Sequence, residues 1–218
     1  MKRLIIICEG QTEQEFCNDV LQPHFNQLGI FIQNPTIKKT AGGIVRWTSL
    51  KFQIETHLKQ DPTAYVSTLI DFYGIHEFHQ YPNWLQASQT VNKINGMELM
   101  EQGMLNEITT TFQNRFIPYI QLHEFEGILF SDLSVFDNGF EESEFLDYNY
   151  LVQTINDNEN PELINDSSLT APSKRLHRII KDYSKVTHGS LIAQDIGINK
   201  IRSKCPRFNE WIEKLQNI

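Results

Sequence analysis

The sequence predicts an α/β fold: a mostly parallel sheet flanked by helices, followed by a C-terminal α-helical appendage. Three observations carry that reading. Through the first 130 residues, short apolar runs of strand length alternate with stretches of helical periodicity, which is the pattern of βαβ units. Carboxylates stand where three of those runs stop. From about residue 131 the strand-like runs give way to Asp/Glu/Asn-rich loops and short helical stretches, which divides the chain into a core, 1–130, and an appendage, 131–218.

Leu4-Ile5-Ile6-Ile7-Cys8 reads as a buried strand, and Glu9-Gly10 sits at its end. Thr12 followed three residues later by Glu15 has the form of a capping box, so a helix is expected from about Thr12 to Leu28 with Gly29 as its C-cap. Glu15 is then explained by structure alone, and Glu13 in the first turn complements the helix dipole. Ile30-Phe31-Ile32 is extended, and Gly42-Gly43 breaks the chain. Ile44, Trp47, Leu50, Ile54 and Leu58 are spaced as one face of a helix over 44–59 that ends before Asp61-Pro62.

Tyr65–Ile70 is the next strand and ends at Asp71-Phe72-Tyr73-Gly74. After the loop at Tyr81-Pro82-Asn83, a helix is expected over 84–101 and an extended segment from Arg115 to Leu122. Pro118 cannot donate to a ladder, so that strand lies at an edge or begins after the proline. His123-Glu124-Phe125-Glu126-Gly127 follows it directly. A break at Ala171-Pro172 precedes a helix from Ser173 to about Tyr183.

With 218 residues and 40% hydrophobic content the chain is long enough for one sizeable core. No apolar run approaches the roughly 18 residues of a membrane span, and the apolar N-terminal stretch is too short for a signal peptide, so a cytoplasmic protein is expected. Cys8, Cys17 and Cys205 are odd in number and lack CxxC spacing, which indicates neither a disulfide framework nor a zinc site; Cys8 reads as core. Residues 1–130 carry nine Lys/Arg and thirteen Asp/Glu, residues 131–172 none and ten, and residues 173–218 ten and four. The basic last zone is either a phosphate-contacting surface or the neutralising partner of the acidic zone. His76 and His79 flank Glu77 in a loop without further ligands, so core or loop roles outweigh a metal role there.

Glu9, Glu13, Asp71, Glu124 and Glu126 are far apart in sequence, yet parallel topology brings strand ends to one edge of a sheet, where ligands collect. Clustered carboxylates raise one another's pKa unless a cation sits among them. Oxygen ligands of this kind suit Mg²⁺ or Mn²⁺ and metal-assisted phosphodiester chemistry. Whether Glu124 and Glu126 share a face depends on whether the chain is still extended there or a helix has begun. Gly42-Gly43 lacks the Lys-Ser/Thr of a P-loop, so the chain is not expected to hydrolyse ATP itself.

Cys8-Glu9-Gly10-Gln11-Thr12-Glu13, Asp71-Phe72-Tyr73-Gly74, His123-Glu124-Phe125-Glu126 and Ala171-Pro172-Ser173-Lys174-Arg175-Leu176 together resemble a bacterial family of unknown function whose core looks like a Toprim domain. Over residues 1–130 the chain is similar to the Toprim domain of overcoming-lysogenisation-defect nucleases. That resemblance implies Glu9 and Asp71 as catalytic metal ligands and Glu13 as the second acid of a Glu-Gly-x-x-Glu motif. The sequence departs from the pattern at Tyr73, where a second aspartate would stand, and Glu124 or Glu126 is the candidate replacement. Lys174 is the candidate for stabilising transition-state charge, and Lys174 with Arg175 for contacting nucleic acid. The function implied is a Mg²⁺- or Mn²⁺-dependent nuclease or nuclease-like subunit of a bacterial defence or DNA-processing system, acting on DNA or RNA with a separate ATPase subunit. The competing readings are a non-catalytic module that docks an ATPase and a phosphoesterase acting on a small nucleotide.

Overall fold

The computed structural model describes residues 2–38, 43–164, 167 and 169–218. Gly42, half of the Gly42-Gly43 break, lies outside them; Gly43 has a positive φ of 105°. Five parallel strands form the sheet: β1 Lys2–Cys8, β2 Ile30–Gln33, β3 Ala64–Asp71, β4 Phe116–Ile117 and β5 Ile120–Gln121. Their order is β2-β1-β3-β4, with β5 also pairing β3. Each β1 residue from Arg3 to Cys8 is in register with one from Ala64 to Leu69, so β1 ends two residues before β3 does.

Helix α1 (Gln11–Phe16) runs through a π-type turn, Cys17–Leu21, into α2 (Gln22–Gln27). Pro23 cannot make a helical N–H bond, and the wider turn closes just before it, with the Gln22 N–H donating to the Cys17 carbonyl. Gly29, at φ +71°, ends the helix as expected. The helix starts two residues earlier than the Thr12–Glu15 box predicts. Gly10 is the N-cap residue and donates its N–H to Glu13 Oε2 at 2.8 Å, so the capping carboxylate is Glu13 and not Glu15.

Helix α3 spans Trp47–Gln60, and Ile44 lies in the loop before it. The helix expected over 84–101 is instead two, α4 (Trp84–Gln89) and α5 (Lys93–Glu107). Asn92 separates them because its side chain accepts from the Ile94 and Asn95 N–H groups and starts a new helix. Gly96 permits the pair to pack, since a Cβ there would meet the Ala87 carbonyl oxygen at 2.9 Å.

Pro118 splits the last extended segment into β4 and β5, at the sheet edge as the proline requires. Side-chain hydroxyls replace the missing ladder: Ser67 Oγ donates to the Ile117 carbonyl at 2.6 Å, and Thr68 Oγ1 both donates to the Tyr119 carbonyl and accepts its N–H. Helices α6 (Leu133–Gly139), α7 (Tyr148–Asp157), α8 (Pro172–Ile179), α9 (Lys185–Ile196), α10 (Ile198–Lys204) and α11 (Pro206–Gln216) complete the chain. The helix expected to reach Tyr183 stops at Ile179.

Alternation along β1 sorts the core into two layers. Leu4, Ile6 and Cys8 face Phe16 and Phe25 together with Ile192, Phe208, Trp211 and Ile212, whereas Ile5 and Ile7 face Trp47, Leu50, Ile54, Met97, Met100 and Met104. The C-terminal helices therefore cover one face of the sheet. Trp211 stacks on Tyr119 at 4.4 Å and donates to Ser67 Oγ at 2.9 Å.

Candidate functional site

The site is built from strand ends. Because β1 ends beside Leu69, two residues short of the end of β3, the Glu9 N–H donates to the Leu69 carbonyl at 3.0 Å and Glu9 Oε2 accepts the Asp71 N–H at 2.9 Å. Asp71 Oδ1 in turn accepts the Phe125 N–H at 2.9 Å. The third segment arrives by continued pairing, the Phe72 and Tyr73 N–H groups donating to the Gln121 and His123 carbonyls. His123, at φ +63°, then turns the chain out of the sheet. Glu9, Asp71 and the Glu124–Glu126 segment thus share one rim, with Glu13 buried beside it on the first turn of α1.

Electrostatics follow from that crowding. Burial, followed by the charges of Glu9, Glu13 and Glu126, raises the Asp71 carboxyl well above the usual carboxylate range. Burial raises Glu9 to about 7; the Asp71 N–H and Lys185 oppose the shift, while Glu13 and Glu126 add to it. Glu13 is raised in the same sense, by burial first.

Glu124 and Glu126 part company. A 3₁₀ helix begins at Phe125 with Glu124 as its N-cap residue, which is the condition under which the two side chains diverge. Glu124 accepts from the Ser173 N–H at 2.9 Å and from Ser173 Oγ at 3.1 Å, tying the rim to α8. Glu126 pairs with Lys185 Nζ at 2.7 Å, its own side chain 2% exposed and that of the lysine 44%. Burial alone would lower Lys185, but Glu126, Glu124 and Asp71 raise it overall.

Lys185 is a residue that sequence reasoning missed. Its signal was present: Ser184 caps α9, so Lys185 occupies a first turn, where a cation opposes the helix dipole and needs an acidic partner. Lys174 is exposed on α8, one residue beyond the Ser173 contact. Arg175 is bonded into the fold, donating through Nε to the Thr170 carbonyl at 2.8 Å and through Nη1 to Thr154 Oγ1 at 3.3 Å. Several basic groups of the last zone meet acids of the middle one, as in Arg178 with Asp147 at 2.7 Å and Lys200 with Asp132 at 3.7 Å. His79 Nδ1 accepts the His76 N–H at 3.0 Å, a local turn that accounts for that pair. Cys8 and Cys17 lie 3.7 Å apart, both buried in the core.

Among the described residues, no three His, Cys, Asp or Glu side chains form a ready-made ligand group. The donor chemistry nonetheless fits a hard divalent ion. Among the described residues, Lys185 is the ammonium that acts on Glu9, Glu13, Asp71 and Glu126 together, and Glu9 and Asp71 remain partly exposed at the rim. A cleft of about 890 Å³ lies elsewhere, along β4 between α5 and α11, and none of the five acids lines it.

Fold and site define an α/β protein with an acidic cluster at the carboxyl ends of a parallel sheet. Over residues 8–216 the chain matches a family described as Domain of unknown function (DUF4276), and it belongs to that family. No curated protein and no solved structure matches it.

Proposed function

We propose that the acidic rim is a Mg²⁺ or Mn²⁺ site for phosphodiester hydrolysis and that the chain is a Toprim-like nuclease subunit acting on nucleic acid, with a separate ATPase subunit supplying nucleotide-driven steps. One observation carries the reading. Glu9 and Asp71 each have one carboxylate oxygen fixed by a backbone N–H, and among the described residues the second oxygens, Glu9 Oε1 and Asp71 Oδ2, have no hydrogen-bond partner. Two carboxylates oriented in this way, on a partly exposed rim, offer free oxygens to a hard cation. A bound divalent ion would supply a lowered water pKa and neutralise phosphate charge.

The chain's own groups divide the remaining work. Glu13 holds the Gly10 N–H and so fixes the loop that carries Glu9. Lys185, half-exposed and anchored on Glu126, takes the charge-stabilising role that the sequence suggested for Lys174. Lys174, exposed on α8, is left for backbone phosphates, and Glu124 positions that helix through Ser173.

The test is Mn²⁺-dependent cleavage of DNA and RNA by the purified chain, compared with Glu9→Gln and Asp71→Asn. Metal-dependent cleavage lost in both variants is the expected result. Cleavage that persists in both, or Mn²⁺ binding that neither substitution weakens, refutes it.

A further inference from the structure

Two buried tyrosine hydroxyls flank the acidic rim with nothing to bond to among the described residues. Tyr81 is 4% exposed and Tyr183 is 5% exposed, and among the described residues neither hydroxyl has a hydrogen-bond partner. Leaving a phenol oxygen dry and unpaired is unfavourable, so each hydroxyl calls for a partner beyond the described residues.

Their positions say which partner. Tyr81 closes the loop that follows Asp71. That loop folds over Glu9, since a Cβ at Gly74 would sit 3.4 Å from Glu9 Oε1, the free oxygen of the site. The Tyr81 ring is held 5.7 Å from that of Trp47, and the loop is pinned by the Trp84 indole donating to the Ile75 carbonyl at 3.0 Å. The Tyr183 hydroxyl packs at Gly189, where a Cβ would meet it at 3.4 Å and Thr12 Cγ2 at 3.7 Å. Gly189 is one helical turn beyond Lys185 on α9, and Thr12 precedes Glu13 on α1. Tyr183 therefore stands on the Glu126–Lys185 side of the cluster and Tyr81 on the Glu9 side. Electrostatics agree. After burial, Glu9 is the charge that raises Tyr81, and Glu126 with Glu124 are those that raise Tyr183.

We propose that Tyr81 and Tyr183 are positioning residues for a hydrated divalent cation at the acidic rim, their phenol oxygens accepting hydrogen bonds from water held between the hydroxyls and the carboxylates. The proposal rests on the metal-site reading of Glu9 and Asp71. Mg²⁺ and Mn²⁺ keep several waters when bound by few carboxylates, and waters polarised by the ion are strong donors that need acceptors. Rigid, buried phenols provide them without adding another negative charge to a crowded cluster.

The experiment is Mn²⁺ titration of the full chain, by calorimetry and by paramagnetic resonance of free Mn²⁺, on wild type, Tyr81→Phe, Tyr183→Phe, the double variant and Glu9→Gln. Metal-free thermal transitions are recorded alongside. Tyr119→Phe is the comparison, because its hydroxyl donates to Gln121 Oε1 at 2.7 Å and its loss should lower the metal-free transition. The expected result is that neither single variant lowers the metal-free transition, while Mn²⁺ affinity falls roughly 10- to 100-fold in the double variant, the range for groups that orient metal ligands. Wild-type affinity in the double variant, with Glu9→Gln weakened, overturns the role of the tyrosines and leaves the metal site standing. A metal-free transition lowered as in Tyr119→Phe overturns it as well, because the hydroxyls would then have partners within the chain. Absence of Mn²⁺ binding by wild type overturns both this inference and the reading on which it rests.

Discussion

Replacing Glu9 by glutamine should stabilise the metal-free protein at pH 8. The glutamine side-chain oxygen can still accept the Asp71 N–H that Glu9 Oε2 accepts at 2.9 Å, so the local geometry is kept and only the charge is removed. Burial, with Glu13 and Glu126 nearby, raises Glu9 from 4.5 to about 7. A carboxyl raised on folding makes the native state bind more protons than the unfolded chain between those two values. Stability is therefore greatest below about 4.5 and falls as pH rises through 7. A shift of that size corresponds to about 3 kcal/mol, and because Glu9 is partly exposed and its neighbours share protons with it, about 1–3 kcal/mol is expected. For a chain of this size that is a rise of roughly 3–10 °C in Tm for Glu9→Gln at pH 8, with little difference from wild type at pH 4.5. Urea denaturation from pH 4.5 to 8, without metal and with Mn²⁺, measures it. In Mn²⁺ the order should reverse, because wild type gains binding free energy that the variant forgoes. A variant that is no more stable than wild type at pH 8, with an unchanged pH slope, would refute the reasoning.

Lys185→Met removes the 2.7 Å partner of a Glu126 side chain that is 2% exposed, and should cost about 1–3 kcal/mol at pH 8. That loss should shrink at pH 5 and be partly restored by Mn²⁺; equal loss at both pH values in urea denaturation would contradict the charge account. Arg175→Ala and Lys174→Ala should separate cleanly. The first loses bonds to Thr170 and Thr154 and about 1–2 kcal/mol of stability, whereas the second, on an exposed side chain, should change stability by less than about 0.5 kcal/mol. If Lys174 contacts a phosphate, its loss should also lower the log–log salt slope of nucleic-acid binding by roughly 0.7 to 0.9. An unchanged slope removes it from the interface.

The sequence by itself determined the strands and the places where they stop. Apolar runs of strand length followed by Glu9, by Asp71 and by His123-Glu124 are local facts, and parallel pairing turned them into one rim because β1 ends beside Leu69, within two residues of the end of β3. Pro118 announced an edge strand because a missing N–H is also local, and Gly29 announced a helix end for the same kind of reason. What only the tertiary structure decided are the partnerships across the chain. Nothing local tells whether the cap of α1 is Glu13 or Glu15, because both spacings suit a helix start and the choice turns on which residue clears the end of β1. The divergence of Glu124 toward Ser173 and of Glu126 toward Lys185 depends on a 3₁₀ turn and on α8 and α9 arriving from some fifty residues away. The proposed charge-stabilising group is Lys185, which the sequence alone did not bring to the rim. Helical period fixes which residues share a face, but which face meets the acidic rim is set by how α9 and α11 bury Ile192, Phe208 and Trp211 on the sheet, a condition satisfied only when the whole core closes.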